Sequence, residues 1–317
     1  MGSGNGRGAG PENGRAEIAS RPVGFVGLGN IGAPMAARLL EWPSGLVVFD
    51  LDTAATESLE RKGAVVASSA AEVASSAGLV CVMVNTESQV REVLTGAEGI
   101  LAGAGGPGRA PRSAGGSPPV ISVHSTISPG GAVELAGLAA ERGLALLDVP
   151  VSGGAMGAHG GTLALLVGGD EEAFERVREP LGLMGSLVHR FGSVGAGTSA
   201  KLVRNLITFA SFAAVGEASR IADAVGLDLV ALGEVVRHSD SVTGGPGAIM
   251  LRDSASTMDP DDPLRPIFEH SATLGVKDLE LVRDLASSAG TEVPLTEFAL
   301  AHLRAALGLE DQPASGT

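Results

Sequence analysis

Short apolar runs and segments of helical periodicity follow one another along the first part of the chain. The run Val23–Val26 is followed by glycines and then by Ile31, Met35 and Leu39 at helical spacing, which indicates strand, turn and helix. Strands that alternate with helices need crossover connections, so this order predicts a parallel, doubly wound α/β sheet. Further strands are predicted at Leu46–Phe49, Ala64–Ala67, Leu79–Val84, Val120–His124, Ala145–Val149 and Thr162–Val167.

Strand signals stop after Gly197, and the apolar residues then recur at helical spacing. The second part of the chain is therefore predicted to be an all-α domain. Its first helix is long and apolar on most faces, which is typical of a helix at a domain junction or a dimer contact. The predicted helices are Ala200–Ala224, Leu227–His238, Ile267–Ala289 and Thr296–Leu307.

These patterns divide the chain into three segments. Residues 1–20 are Gly-rich and polar without a period, so we expect a disordered tail. Residues 21–192 form the predicted α/β domain, and residues 193–317 form the predicted helical domain. Within the first, Gly103–Pro119 is rich in Gly, Pro, Ser and Arg and is expected to be a flexible surface insertion. A lid over the substrate is the alternative interpretation.

The composition argues against several classes of partner. Only 3% of the residues are aromatic and none is Tyr, so base-stacking surfaces are scarce and a nucleic-acid partner is not expected. The net charge of -14 would also repel phosphate backbones and anionic lipid surfaces. The sequence contains no uninterrupted apolar run of the ~20 residues that a membrane helix needs. Cys81 is the only cysteine, so we expect a buried thiol, no internal disulfide and a cytoplasmic location.

A glycine-rich turn, Gly27–Gly32, lies between the first predicted strand and helix. In this context Gly27 permits the tight turn, Gly29 lets the backbone approach a pyrophosphate, and Gly32 lets the helix pack against the strand. The free N–H groups at the start of the helix then hold the anionic phosphates. The pattern predicts a Rossmann-type dinucleotide site, and a merely flexible loop is the alternative.

Asp50 stands at the end of the second predicted strand. A carboxylate there accepts hydrogen bonds from an adenosine ribose and repels a 2′-phosphate, which favours NAD over NADP. The alternative is a turn or helix-capping role, since Asp52 and Thr53 offer the same chemistry beside it.

The segment Asp148–Leu163 follows the end of a predicted strand and contains Ser152, Gly153 and Gly154. Ligands of open α/β sheets bind at the carboxyl ends of the strands. Because consecutive glycines expose N–H groups, this segment is predicted to hold a substrate carboxylate. A plain glycine-rich loop is the alternative.

Lys201 and Asn205 stand four residues apart in a predicted helix and therefore share one face. A Lys in a desolvated cleft has a lowered pKa and can exchange a proton near neutral pH, and Asn205 could orient the Lys or the substrate oxygen. An exposed Lys beside a polar neighbour is the equally weighted alternative. Lys277 and Asp278 are interpreted as a solvated pair, and the His spacing does not support a metal centre.

Taken together, these motifs resemble those of the β-hydroxyacid dehydrogenases, the family typified by 3-hydroxyisobutyrate dehydrogenase. The resemblance extends from Val23 to the final helices. Asp148–Leu163 is similar to the family's substrate-loop signature, and Gly195–Asn205 is similar to its catalytic helix.

The resemblance implies a role for each matching residue. Lys201 would be the catalytic acid/base with Asn205 as its companion, Thr126 would lie beside the nicotinamide, and Lys277 would reach the cofactor. The implied substrate-binding residues are Ser125, Ser152, Gly153, Gly154, Lys201 and Asn205. The implied cofactor-binding residues are Gly27, Gly29, Asn30, Ile31, Gly32, Asp50, Val84, Asn85, Gln89, Thr126 and Lys277.

Two departures from the family pattern bear on the substrate. Val123, followed by His124, stands where relatives commonly have an Asp two residues before the Ser-Thr pair, and this chain has Asn85 where relatives often have Pro. Relatives also lack the Gly103–Pro119 insertion. The resemblance implies hydride transfer between NAD and a small 3-hydroxy acid or its semialdehyde, such as 3-hydroxyisobutyrate, in a homodimer or homotetramer. An imine reductase and a non-catalytic dinucleotide-binding protein are the alternatives.

Overall fold

The computed structural model describes residues 11–104 and 117–309, so most of the predicted insertion lies outside the described residues. The chain divides into two compact units, Met1–Arg204 and Asn205–Thr317. Among the described residues, no helix combines the length and apolarity needed to span a membrane.

The first unit is built on a sheet in which six strands run parallel. The order begins β3-β2-β1-β4-β5-β6, with β1 between β2 and β4. The residues of β1 and β4 are all buried, as expected for central parallel strands that are covered on both faces. The predicted parallel, doubly wound sheet is therefore confirmed. The strands are β1 Val23–Val26, β2 Leu46–Phe49, β3 Val65–Val66, β4 Leu79–Val82, β5 Val120–Val123 and β6 Ala145–Asp148.

Three further strands, β7 Val151–Ser152, β8 Ala164–Gly168 and β9 Leu187–Gly192, extend the sheet beyond β6. β8 runs antiparallel to β6 and β7 and parallel to β9. The sequence pattern predicts β8 but neither β7 nor β9. β7 has two residues, too few for a period, and β9 is a half-exposed strand of mixed polarity.

Helices cover both faces of this sheet and close two hydrophobic clusters. One contains Phe25 and Phe174, and the other contains Val80 and Leu135. The helices of the first unit are α1 Pro11–Ala19, α2 Gly32–Arg38, α3 Thr53–Glu60, α4 Ala70–Ser76, α5 Glu87–Thr95, α6 Ile100–Gly103, α7 Pro129–Ala140, α8 Gly154–Gly160 and α9 Glu171–Met184.

Helix α1 corrects the expectation of a disordered tail for Pro11–Ala19. Ile18 is buried in the cluster that contains Phe25, and Arg15 forms an ion pair with Glu175 of α9. Tertiary contacts here outweigh a weak local preference. The rest of the predicted tail, residues 1–10, lies outside the described residues.

Helix α10, Ala196–Ala224, starts in the first unit and continues into the second, four residues earlier than the sequence predicts. Glu217 of α10 is buried and accepts hydrogen bonds from the backbone N–H groups of Leu295 and Thr296, so it caps the first turn of α13. The remaining helices are α11 Leu229–Thr243, α12 Arg265–Ser288 and α13 Pro294–Ala306.

Several large apolar side chains of α10 face solvent in the single chain. Phe209 and Phe212 are 62% and 63% exposed, and Leu206 is also exposed. The two phenyl rings lie edge to face, 5.8 Å apart. An apolar helix face of this kind is unusual for a surface that stays in water.

Candidate dinucleotide and substrate site

A groove of about 440 Å³ lies at the carboxyl ends of β1, β2 and β4. This is the edge at which open α/β sheets bind ligands. It is bordered by the glycine turn, the end of β2 and the segment after β4. Six of the predicted cofactor residues line it: Gly27, Gly29, Asp50, Val84, Asn85 and Gln89.

The three glycines of the turn have different physical reasons to be glycine. Gly27 has φ +94°, and a Cβ there would lie 2.2 Å from the carbonyl oxygen of Met83. A Cβ at Gly32 would lie 2.1 Å from the carbonyl oxygen of Gly27, so Gly32 lets α2 start close to the turn. A Cβ at Gly29 would have no atom within 4 Å. Gly29 therefore leaves space on the ligand side, where a pyrophosphate would approach the backbone.

The residues between these glycines differ in their surroundings. Asn30 is exposed, and Ile31 is half-buried at the N-cap of α2. The start of α2 has no side-chain cap. The N–H of Ala33 donates to the carbonyl of Gly29, that of Met35 donates to the carbonyl of Ile31, and Pro34 has no N–H. An anion at this turn would therefore be held by N–H groups that precede Ala33.

Asp50 contacts the turn directly. Its carboxylate accepts hydrogen bonds from the N–H groups of Leu28 at 2.6 Å and Asp52 at 2.9 Å. Helix α3 is capped instead by Asp52, which accepts from the N–H of Ala54. The capping role considered for Asp50 thus belongs to Asp52, and Asp50 links the glycine turn to β2 while it lines the groove.

The opposite wall of the groove is formed after β4 and at the start of α5. Gln89 closes a capping box with Thr86, in which its side-chain oxygen accepts from the N–H groups of Asn85 and Thr86. Glu92 and Glu98 also line the groove, so with Asp50 it carries three carboxylates.

Ser125 and Thr126 follow β5 but are exposed very differently. Ser125 is buried, and its hydroxyl donates to the carbonyl of Val84 and accepts from the N–H of Val84, both at 2.8 Å. Its hydroxyl thus links the ends of β4 and β5 instead of standing open as the implied substrate contact requires. Thr126 is exposed and does not line the groove.

His124, which follows β5, is a core residue. It is buried and stacks on Phe25 with ring centroids 6.3 Å apart. Its Nδ1–H donates to the carbonyl of Val149, and its Nε2 faces the hydroxyl of Ser122. Burial lowers the pKa of His124 to about 4, so the ring is neutral at ordinary pH.

The predicted substrate loop is partly regular structure. Ser152 ends β7 and is half-buried, and Gly153 and Gly154 are exposed at the start of α8. Their φ values of +133° and +61° are ones that a side chain would disfavour. The contact of this turn with a substrate carboxylate stays a prediction. His159, later in α8, is exposed.

Lys201 lies in the second turn of α10 and is buried. Burial lowers the pKa of its amine, and the positive charge of Arg204 lowers it further. The alternative of an ordinary exposed Lys does not hold for this residue. Asn205, one turn later on the same helix, is half-buried.

Lys277 belongs to α12 in the second unit. Its side chain is 61% exposed and pairs with Asp278 at 3.1 Å, as the solvated-pair interpretation expects. Its implied contact with a cofactor stays a prediction. In the described part of the chain, no three His, Cys, Asp or Glu side chains are grouped as a metal site.

Asp148 is a residue whose role the sequence reasoning missed. It was part of the substrate-loop signature, yet its carboxylate accepts hydrogen bonds from the N–H groups of Gly195 and Thr198 at 2.8 and 2.7 Å. These contacts join the end of β6 to the start of the helix that carries Lys201. The sequence signal was present, since a lone Asp ending an apolar strand must find partners when it is buried.

Comparison with known proteins agrees with this arrangement. The model for the NAD binding domain of 6-phosphogluconate dehydrogenase matches residues 22–195. The model for the NAD-binding domain of NADP-dependent 3-hydroxyisobutyrate dehydrogenase matches residues 195–314. The two matches meet at Gly195, where Asp148 holds the start of α10.

Individual relatives match over nearly the whole chain. An uncharacterized oxidoreductase of Mycobacterium tuberculosis is 46% identical over 93% of this chain and 97% of its own length. The NAD-dependent L-serine dehydrogenase of Pseudomonas aeruginosa is 34% identical over 90% of this chain and 91% of its own. A crystal structure of a Mycobacterium avium protein described as an oxidoreductase is 43% identical, with a TM-score of 0.84 over 92% of this chain and 100% of that one. The chain belongs to the β-hydroxyacid dehydrogenase family of dinucleotide-binding oxidoreductases.

Proposed function

We propose that this chain catalyses reversible hydride transfer between NAD and a small 3-hydroxy acid or its semialdehyde. The observation that carries the proposal is the buried Lys201 with its lowered pKa, on a helix whose start is bonded to the strand leading into the Ser152–Gly154 segment. The end of β6 thus contacts the start of the helix that carries the acid/base group, and the turn able to hold an anion follows the same strand end.

In the oxidation direction, the neutral amine of Lys201 accepts the proton of the substrate hydroxyl as the carbinol C–H bond breaks. Bound NAD supplies the acceptor for the hydride. The backbone of Ser152, Gly153 and Gly154 holds the substrate carboxylate, which fixes the alcohol at a set distance from that anchor. Asn205 orients the oxygen that gains or loses the proton. In the reduction direction Lys201 returns the proton to the same oxygen.

NAD is the proposed cofactor because of the charges around the groove. Asp50, Glu92 and Glu98 all line it, and a 2′-phosphate beside these carboxylates would meet like charge. The side chain after Asp50 is Leu51, which is 92% exposed and cannot pair with a phosphate. NADH should therefore bind more tightly than NADPH in fluorescence titrations, and the reverse order would contradict this assignment.

Two related substrates deserve comparison. The second matched family model is named for 3-hydroxyisobutyrate dehydrogenase, and one relative is an L-serine dehydrogenase. Both compounds carry a primary alcohol on the carbon β to a carboxylate, so the proposed carboxylate contact and Lys201 fit either one. They differ at the α-carbon, as a methyl or an ammonium group. Measuring NADH formation with each acid separates the two.

The decisive experiment compares Lys201→Ala with Lys62→Ala. Lys62 is an exposed Lys of the same unit, so its removal controls for the loss of one positive charge. We expect Lys201→Ala to lower turnover by about 100-fold or more while NADH binding stays nearly unchanged. Undiminished turnover in Lys201→Ala would contradict the proposed function. An absence of turnover in the unaltered protein with all small hydroxy acids would favour a non-catalytic dinucleotide-binding protein.

An imine reductase remains the second candidate within the same fold. Solved imine reductases share the fold at 17–19% identity, which bears on architecture alone. The presence of Lys201 and of Asp50 argues against that activity and against a preference for NADPH. Reduction of a cyclic imine at a rate above that of the semialdehyde would reverse the order of the two candidates.

We further propose a homodimer or homotetramer in which the exposed face of α10 is covered. Leu206, Phe209 and Phe212 present apolar surface along one helix of the single chain. Homo-oligomers commonly bury such a face against its own copy about a two-fold axis.

A further inference from the structure

The buried carboxylate of Asp148 joins two parts of the proposed site that are far apart in the sequence. It ends β6, four residues before Ser152. It receives the N–H groups of Gly195 and Thr198, which lie 47 and 50 residues further along the chain. Both bonds are short and involve a charged acceptor, the stronger class of hydrogen bond in proteins.

The surroundings of Asp148 leave it little freedom. The residue has no exposed surface. Gly168 packs against it so closely that a Cβ would lie 2.3 Å from the carboxylate oxygen Oδ1. A Cβ at Gly197 would lie 2.6 Å from the carbonyl oxygen of Asp148. The carboxylate is therefore enclosed by the backbone of β8 and of the first turn of α10.

The two hydrogen bonds of the Asp148 carboxylate hold the first turn of α10, three residues before Lys201. The first N–H groups of a helix have no partner within the helix, and Asp148 satisfies that of Thr198. Lys201 follows Thr198 by three residues and lies on the same face of α10. The carboxylate also carries the charge that a helix N-terminus favours. A shift of the first turn would move the amine of Lys201 with it.

We propose that Asp148 is a positioning residue, which sets the distance between the substrate carboxylate at Ser152–Gly154 and the amine of Lys201. The inference rests on the proposed function of those residues. Asp148 does not touch the reacting atoms. It fixes the start of α10 to the strand that leads into the carboxylate-binding turn, so that one rigid connection orients both ends of the substrate.

The first test is Asp148→Asn, compared with Glu217→Gln. The amide of Asn keeps one acceptor oxygen and loses one of the two backbone bonds. Glu217 is a matched control because it is also buried and also caps a helix by accepting two backbone N–H groups. We expect kcat of Asp148→Asn to fall about 100-fold, with KM for the hydroxy acid changed by less than about threefold.

Two readouts separate misplacement from partial unfolding. NADH titration should still give one site per chain with an unchanged Kd, because the groove at Gly27 does not involve Asp148. The primary deuterium isotope effect on kcat should rise, because proton and hydride transfer become slower than the other steps. A fall in kcat that matches the loss of NADH sites, or that Glu217→Gln reproduces, would overturn the inference.

A steric variant tests the same point without changing charge. A Cβ at Gly168 would press on the Asp148 carboxylate and on the backbone nitrogen of Gly197, at the start of α10. Gly168→Ala should therefore disturb the same junction and reproduce the kcat loss of Asp148→Asn, whereas Gly182→Ala should not. A Cβ at Gly182, in α9, would meet no atom within 4 Å. If Asp148→Asn and Gly168→Ala both fold and turn over within about threefold of the unaltered chain, the inference is wrong. Lys201→Ala is measured in the same experiment. If Lys201→Ala retains turnover, the proposed function is wrong; if only the Asp148 and Gly168 variants retain turnover, the positioning role of Asp148 is wrong.

Discussion

Gly29→Ala should separate cofactor binding from stability. An added Cβ at Gly29 meets no protein atom within 4 Å, so the fold has room for the methyl group. Gly29 also has no positive φ that would disfavour Ala. Replacement of Gly by Ala at a compatible position stabilises a protein by about 0.4–1 kcal/mol. We therefore expect the Tm of Gly29→Ala to be unchanged or slightly higher.

Binding should change in the opposite direction. The methyl group occupies the space through which a pyrophosphate approaches the turn, and losing one hydrogen bond to a charged group costs about 1.5–3 kcal/mol. That cost corresponds to a rise in Kd of about 10- to 100-fold. Fluorescence titration with NADH measures it, and thermal unfolding without ligand gives the Tm.

The matched control is Gly137→Ala in α7, where an added Cβ also meets no atom within 4 Å. It should leave both Kd and Tm near those of the unaltered chain, apart from a small gain in helix propensity. If Gly29→Ala binds NADH as tightly as Gly137→Ala does, the turn is not the pyrophosphate site and the interpretation of the groove fails.

Four other outcomes follow from single groups. Asp50→Ala should weaken NADH binding more than NADPH binding in paired titrations. The ribose of NADH loses a hydrogen-bond acceptor, whereas the 2′-phosphate of NADPH is relieved of repulsion by the Asp50 carboxylate. An equal loss of affinity for both cofactors would argue against a ribose contact. Phe212→Asp should reduce the oligomer mass in light scattering and lower the Tm, and an unchanged mass would place the interface elsewhere. For oxidation, kcat should rise with pH through the lowered pKa of Lys201, and Lys201→Arg should lack this rise because Arg stays protonated. His124 contributes stability that is complete above pH 6.5 and is lost as pH falls to about 4, because the unfolded chain takes up the proton first; acid unfolding of His124→Gln should be less steep over that range.

The parts of the fold that the sequence predicts well depend on short-range patterns. β1, the turn Gly27–Gly32 and α2 follow one another within a few residues, so periodicity and glycine placement suffice to identify them. The strand β9 cannot be identified from such a pattern, because it is half-exposed beside β8 and therefore mixes polar and apolar residues. The helix α1 is also missed by the sequence pattern, because contacts with α9 and the core order it and its own composition does not.

The residues of the candidate site also differ in how far the sequence predicts them. Asp50 stands 22 residues from Leu28, yet it is predictable because the crossover that joins β1 to β2 always brings these two strand ends together. The hydrogen bonds of the Ser125 hydroxyl with the N–H and the carbonyl of Val84 could not be predicted, since a sequence does not show which backbone groups a turn leaves unpaired.

The exposure of Lys201 is the point at which sequence reasoning had to leave two interpretations open, and the structure shows why. The residues beside Lys201 in α10 are largely exposed, so nothing in its local pattern indicates burial. Lys201 follows the first turn of α10, which meets the end of β6 at Asp148, Gly168 and Gly197. Two of these are glycines at which an added Cβ would press on neighbouring atoms, and the third is a carboxylate that accepts from backbone N–H groups. Burial and the positive charge of Arg204 lower the pKa of Lys201, whereas the junction fixes the first turn of the helix that carries it. Variants at the junction therefore test the position of Lys201, and variants of Lys201 itself test its chemistry.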